Sequence, residues 1–98
     1  MSGNYYNSKI DGPGVYGTIT VNTSAVEAKV GASVLEGRKV LTIISLDRDI
    51  YWGYDSSVTT ATGTPLLKKQ PMSLEFTDSV AIYLISTGST DVRINEVG

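Results

Sequence analysis

The feature that most constrains this chain is the period of its apolar residues. Ile19 and Val21 alternate with Thr18 and Thr20, and Val26, Ala28 and Val30 alternate with Glu27 and Lys29. Leu74 and Phe76 alternate with Ser73 and Glu75, and Val92 and Ile94 with Asp91, Arg93 and Asn95. Successive side chains of a strand point to opposite faces, so a period of two sends one face to a core and the other to water. No apolar stripe holds the 3.6-residue helical period for three turns, and the recurring Thr, Val, Ile and Tyr suit a pleated sheet. Turn residues punctuate the chain at Gly31, Glu36-Gly37, Asp47-Arg48-Asp49, Thr77-Asp78-Ser79 and Gly88-Ser89. The pattern predicts an all-β, single-domain antiparallel β-sandwich, jelly-roll-like, or else a small barrel, built from roughly seven to nine strands.

Residues 1–14 are poor in core-forming side chains. They read as a flexible N-terminal arm closed by a turn at Asp11-Gly12-Pro13-Gly14, ahead of a sandwich domain over 15–98. Tyr5 and Tyr6 in the arm are either incidental to a tail or aromatic groups that dock on a neighbour. Within the domain, the segment 39–46 is expected to pair with Ile50–Tyr54 as a hairpin across the tight connection 47–49. Residues 55–65 read as a Ser/Thr-rich loop with room for a short strand at Val58-Thr59-Thr60. Gly53, in mid-strand, marks a bulge or a close backbone approach.

Two segments are apolar on both faces. In one, Val40, Ile44 and Leu46 oppose Leu41 and Ile43; in the other, Val80, Ile82 and Leu84 oppose Ala81, Tyr83 and Ile85. A chain of 98 residues has little with which to cover a second face. Each large aliphatic group left wet forgoes about 1.5–3 kcal/mol. Either loops or the arm fold over that face, or a second copy covers it; self-association into a closed assembly is the expectation.

The chemistry available is narrow. The chain has no histidine and no cysteine, which removes the commonest general base, the thiol nucleophile and the usual zinc ligands. Of the carboxylates, Asp47 and Asp49 form the one close pair, and with Arg48 between them they read as a solvated turn rather than as a catalytic dyad or a calcium loop. Most of the other carboxylates fall in turns or on wet strand faces. No phosphate-cradling or dinucleotide motif is present, and no motif places Lys29, Lys39, Lys68 or Lys69 beside a nucleophile in a buried pocket. No catalytic residue, cofactor or metal is therefore expected. Net charge is −2 with no basic face, which disfavours nucleic acid as a partner. No apolar run approaches the ~20 residues of a membrane-spanning helix, and the N-terminus lacks the charged start and apolar core of a secretory signal; synthesis in the cytoplasm is expected. Tyr51-Trp52-Gly53-Tyr54 is the most distinctive local feature. It suits either core and edge packing or a platform whose rings cover the apolar side of a glycan.

Several motifs occur in a fixed order: Gly37-Arg38-Lys39-Val40-Leu41-Thr42-Ile43, then Ile50-Tyr51-Trp52-Gly53-Tyr54-Asp55-Ser56-Ser57-Val58-Thr59-Thr60, then Gly63-Thr64-Pro65-Leu66, then Thr90-Asp91-Val92-Arg93-Ile94-Asn95-Glu96. In this the chain resembles a group of short structural proteins of tailed bacteriophages, over residues 15–97. The resemblance implies a non-enzymatic virion component: a capsid decoration or head-fibre protein, or a head–tail or tail accessory. It implies a homo-oligomer, a trimer foremost, bound to other virion proteins such as the major capsid or tail protein, and located in the virion after synthesis in the host cytoplasm. Beside it, Gly53 reads as a backbone device, Val58 as an anchor for the Thr-rich loop, and Gly63-Thr64-Pro65 as the turn that returns the chain to the sheet. The competing readings are a carbohydrate- or host-surface-binding adhesion module of a tail or baseplate, and an assembly factor that leaves before maturation. The candidate interaction surface comprises Tyr5, Tyr6, Leu41, Ile43, Tyr51, Trp52, Tyr54, Tyr83 and Ile85.

Overall fold

The alternating segments at 18–21 and 91–95 lie within long strands, whereas those at 26–30 and 73–76 keep only two residues each in a strand. The computed structural model describes residues 10–98, and every regular element within them is β. The strands are β1 (Gly14–Val21), β2 (Val26–Glu27), β3 (Val40–Ser45), β4 (Ile50–Gly53), β5 (Thr64–Leu66), β6 (Met72–Leu74), β7 (Tyr83–Ser86) and β8 (Thr90–Val97). They form two four-stranded antiparallel sheets, sheet A in the order β1-β8-β3-β6 and sheet B in the order β2-β7-β4-β5. Every connection except β4 to β5 changes sheet. Two sheets wound in this alternating order make a jelly-roll sandwich, and among the described residues no pairing closes them into a barrel.

The core lies between the sheets: Val21, Leu41, Ile43, Val92 and Ile94 from sheet A meet Ile50, Leu66 and Leu84 from sheet B, with Ala28 and Ile82 beside them. Because β3 and β8 are paired in register, Ile43 stands opposite Ile94 and Leu41 opposite Glu96 on the inner face.

Three sequence expectations need correction. Ile50–Tyr54 is not the hairpin partner of 39–46: β3 pairs with β6 and β8, and β4 with β5 and β7. Residues 46–49 are instead a corner that carries the chain across the core. Thr90 Oγ1 accepts from the Asp47 and Arg48 amides at 3.1 and 3.2 Å. Ser45 Oγ donates to the Arg48 carbonyl at 2.6 Å, so the 2.9 Å bond between the two hydroxyls is donated by Thr90. Second, Asp11-Gly12-Pro13-Gly14 does not reverse the chain. Gly12 donates to the Gly98 carbonyl and Gly98 to that of Pro13, so this segment runs beside the C-terminus and straight into β1. The rest of the arm, with Tyr5 and Tyr6, lies outside the described residues. Third, 58–60 is not a strand; β5 begins at Thr64, and its Pro65 is tolerated because β5 is an edge.

Candidate interaction surface

The outer face of sheet A is built from rows of cross-strand neighbours. Val40 stands beside Val97; Tyr16, Asn95, Thr42 and Ser73 form the next row; Thr18, Arg93 and Ile44 the next; and Thr20 lies opposite Asp91. Period two makes this face inevitable once Val21, Leu41, Ile43, Val92 and Ile94 point inward. Its polar members restrain one another: Thr42 and Ser73 share a hydroxyl hydrogen bond of 2.8 Å, and Arg93 forks onto the Asp91 carboxylate at 3.2–3.4 Å. Its apolar members, Val40, Ile44, Leu46 and Val97, are half-buried, and Tyr16 is 83% exposed. Between Tyr16, Thr18, Thr42, Ile44, Arg93 and Asn95 lies a shallow groove of about 360 Å³.

Sheet B treats its outer face differently. Tyr51, Gly53, Tyr83 and Ile85 point outward there, as the register Tyr51–Ile85 and Gly53–Tyr83 requires. The loop 54–63 folds back over Tyr51 and Gly53 and inserts Val58, which is buried. A β-carbon at Gly53 would lie 2.9 Å from Val58 Cγ2, and one at Gly63 would lie 2.8 Å from Tyr51 Cβ and 2.9 Å from Val58 Cγ2. Two glycines therefore make the slot that Val58 fills, in keeping with its role as an anchor. Thr59 and Thr62 bind each other's backbone and hydroxyl groups, which holds the loop's own shape. Upstream, Ser57 donates from its hydroxyl and its amide to the Asp55 carboxylate, and these bonds, the hydroxyl's first, hold Asp55 below the ordinary carboxylate range.

The aromatic cluster sits where β4 leaves the sheet. Trp52 faces inward and packs against the core, in contact with Tyr54 and Phe76. All three ring pairs are edge-to-face, with centroids 5.5–6.5 Å apart. Tyr54 remains 63% exposed. The rings meet each other at steep angles instead of forming one flat platform.

Sequence reasoning missed the most heavily bonded group in the molecule. Arg38 and Glu96 form an ion pair of 3.1 Å with both side chains fully buried. Arg38 also donates to the carbonyls of Phe76, Thr77 and Val80 at 2.8–2.9 Å, and Glu96 accepts from the amides of Val30 and Leu35 at 3.1–3.2 Å. One pair thus fastens the 28–37 and 75–82 connections to the last strand. Glu96, expected on a wet face, shares its face with Val92 and Ile94; the period alone placed it inside.

The sequence-derived surface divides accordingly. Leu41 and Ile43 are fully buried core residues, so the interaction surface assigned to them is corrected: the outward face of β3 is Val40, Thr42 and Ile44. Ile85 is buried, Tyr51 and Tyr83 are half-buried, Trp52 is half-buried against the core, and Tyr54 is exposed. The structure brings Trp52 and Tyr54 together but separates them from Tyr51, Tyr83 and Ile85, which lie on the opposite face of sheet B. Asp47 and Asp49 address different backbone amides, those of Asp91 and Lys68, and form part of a polar groove with Arg48, Tyr51, Lys68 and Thr87. Among the described residues no group of three or more acidic, histidine or cysteine side chains is placed to hold a metal. No protein-family model matches the chain, and a search of curated proteins returns no match.

Proposed function

We propose that the chain is a non-enzymatic structural component of a tailed-bacteriophage virion, which self-associates and docks on other virion proteins through the outer face of sheet A. One observation carries the docking surface: of the two outer sheet faces, sheet B's carries the chain's own Val58 loop over Tyr51 and Gly53, whereas no described residue covers sheet A's. That face mixes half-buried Val40, Ile44, Leu46 and Val97 with exposed Tyr16, and with exposed Arg93 and Asn95 on β8 between them. Aromatic, aliphatic and arginine groups on an otherwise weakly charged patch are the composition of protein interfaces. The virion assignment comes from the order of the Gly-Arg-Lys, Tyr-Trp-Gly and Asp-Val-Arg motifs. The jelly-roll is in keeping with it, because capsid proteins use this sandwich, but so do lectins, and the fold by itself selects neither.

Mass spectrometry of purified particles tests the reading. The chain is expected among the structural proteins, and Ile44→Lys is expected to be lost from particles while the isolated variant stays folded by circular dichroism. Absence of the wild-type chain from particles, or full retention of Ile44→Lys on them, would overturn it.

A further inference from the structure

A jelly-roll exposes four strand edges, and three of them here carry devices that block pairing. β5 has Pro65 within it. β6 is three residues long, between Pro71 and Glu75. β2 is two residues long and carries Glu27, ion-paired with Lys29 at 3.3 Å. β1 has none of these. It is eight residues, Gly14 to Val21, without a charge, a proline or a break in its ladder.

The hydrogen bonds at its ends show which backbone groups are free. Gly98 donates to the Pro13 carbonyl at 3.0 Å and Leu46 to the Asp91 carbonyl at 2.9 Å. In β8, then, even residues bond to β1 and odd residues to β3. By the register of β1 with β8, the odd residues of β1 bond inward along the sheet, and Gly14, Tyr16, Thr18 and Thr20 aim their N–H and C=O groups away from it. No described residue is hydrogen-bonded to those groups.

We propose that β1 is the self-association edge and that its occupant is β1 of a second copy, paired antiparallel about a two-fold axis at Gly17. The strand's own sequence argues for this partner. In that register Gly14 and Thr20 of one copy meet Thr20 and Gly14 of the other, Tyr16 and Thr18 meet Thr18 and Tyr16, and every outward N–H and C=O finds a partner in about eight bonds. Val15 meets Ile19 on the inner face, and Tyr16 meets Thr18 on the outer, an aromatic beside a β-branched residue. Gly17 meets Gly17, where a closely spaced pair brings the backbones together. No charge opposes another. The two sheets A become one eight-stranded sheet with both open faces on the same side. The inference rests on the self-association proposed above and names its contact; two docking faces on one side also give the dimer bivalent attachment to a particle.

The test uses the full chain in analytical ultracentrifugation and hydrogen exchange. Thr18→Pro removes one outward N–H from each copy and leaves the β8 ladder intact, because Thr18 makes no bond to β8. Thr18→Lys keeps the N–H and adds a charge at the edge. The wild type is expected to be a dimer or an even multimer, with the amides of Tyr16, Thr18 and Thr20 protected in proportion to dimer. Both variants are expected to keep the wild-type circular dichroism and to weaken the dimer at least about tenfold, while Ile44→Lys leaves dimerisation unchanged. An oligomer untouched by either Thr18 variant, or a three-fold one, would overturn the edge contact and leave the docking reading standing. A strict monomer at tens of micromolar would fail this contact together with the self-association it serves, and in that case protected β1 amides would assign the edge to the chain's own N-terminal residues.

Discussion

Replacing Arg38 with methionine removes the guanidinium at the centre of the most heavily bonded group in the molecule. The carboxylate of Glu96 would keep two backbone donors, from Val30 and Leu35, but lose its counter-charge while fully buried. The carbonyls of Phe76, Thr77 and Val80 would lose their donor. Breaking a buried pair by removing one partner costs about 3–5 kcal/mol. The whole stability of a chain of this length is about 5–15 kcal/mol, so the substitution removes a large share of it. At ~4–8 °C per kcal/mol, the midpoint falls by at least about 12 °C. Glu96→Gln keeps the shape but leaves the buried guanidinium without its counter-charge and turns an NH2 toward the amide of Val30 or Leu35, so it is expected to cost a similar amount, about 3–5 kcal/mol. The double substitution is expected to cost less than the sum, since no unpaired carboxylate is left behind. It is not expected to be neutral, because the backbone groups that the pair satisfies stay buried. Urea denaturation followed by the fluorescence of the single tryptophan, Trp52, measures all three, since Trp52 packs on Phe76. An Arg38→Met cost below about 1 kcal/mol, or costs that add within ~0.5 kcal/mol, would refute the reasoning.

Leu41→Ala is expected to cost about 2–5 kcal/mol and Leu74→Ala well under half of that, because Leu41 is fully buried and Leu74 is 41% exposed at the sheet edge; thermal melts of the two variants check the order. Gly63→Ala drives a methyl against Tyr51 Cβ, Val58 and the Thr59 carbonyl, so it is expected to cost about 1–3 kcal/mol and to speed amide exchange through 54–63. Asp55 is held low by Ser57, so its bonds contribute stability above the ordinary carboxylate range and lose it as the pH falls through the lowered value. Carbon-13 titration of the Asp55 carboxyl is expected to show the depression, and Ser57→Ala to reverse most of it.

Much of the fold was legible because period two is a local property. The alternation in 16–22 and 90–96 located β1 and β8 within a residue or two, and the apolar run 39–46 located β3, whereas of the run 80–85 only Tyr83 to Ile85 lie in β7. The hairpin between β3 and β4 was misjudged because a short connection favours neighbours in a sheet, while the corner at Thr90 that sends the chain across the core is assembled from residues distant in sequence. Glu96 was misplaced because its charge argued against the side its position required. The surface assigned to Leu41 and Ile43 failed for another reason: both faces of β3 are apolar, and no local rule says which one turns inward.

The sequence by itself determined the all-β class, the places where strands form, and which residues share a face, since these follow from backbone pleat and turn chemistry over a few residues. Only the tertiary structure decided which face of each two-sided strand is core, that Arg38 and Glu96 meet, and that Val58 packs on one outer face while no described residue covers the other. Those outcomes depend on how separate segments pack together, Arg38 and Glu96 being 58 residues apart, and on the space left at the sheet faces, which no local pattern encodes.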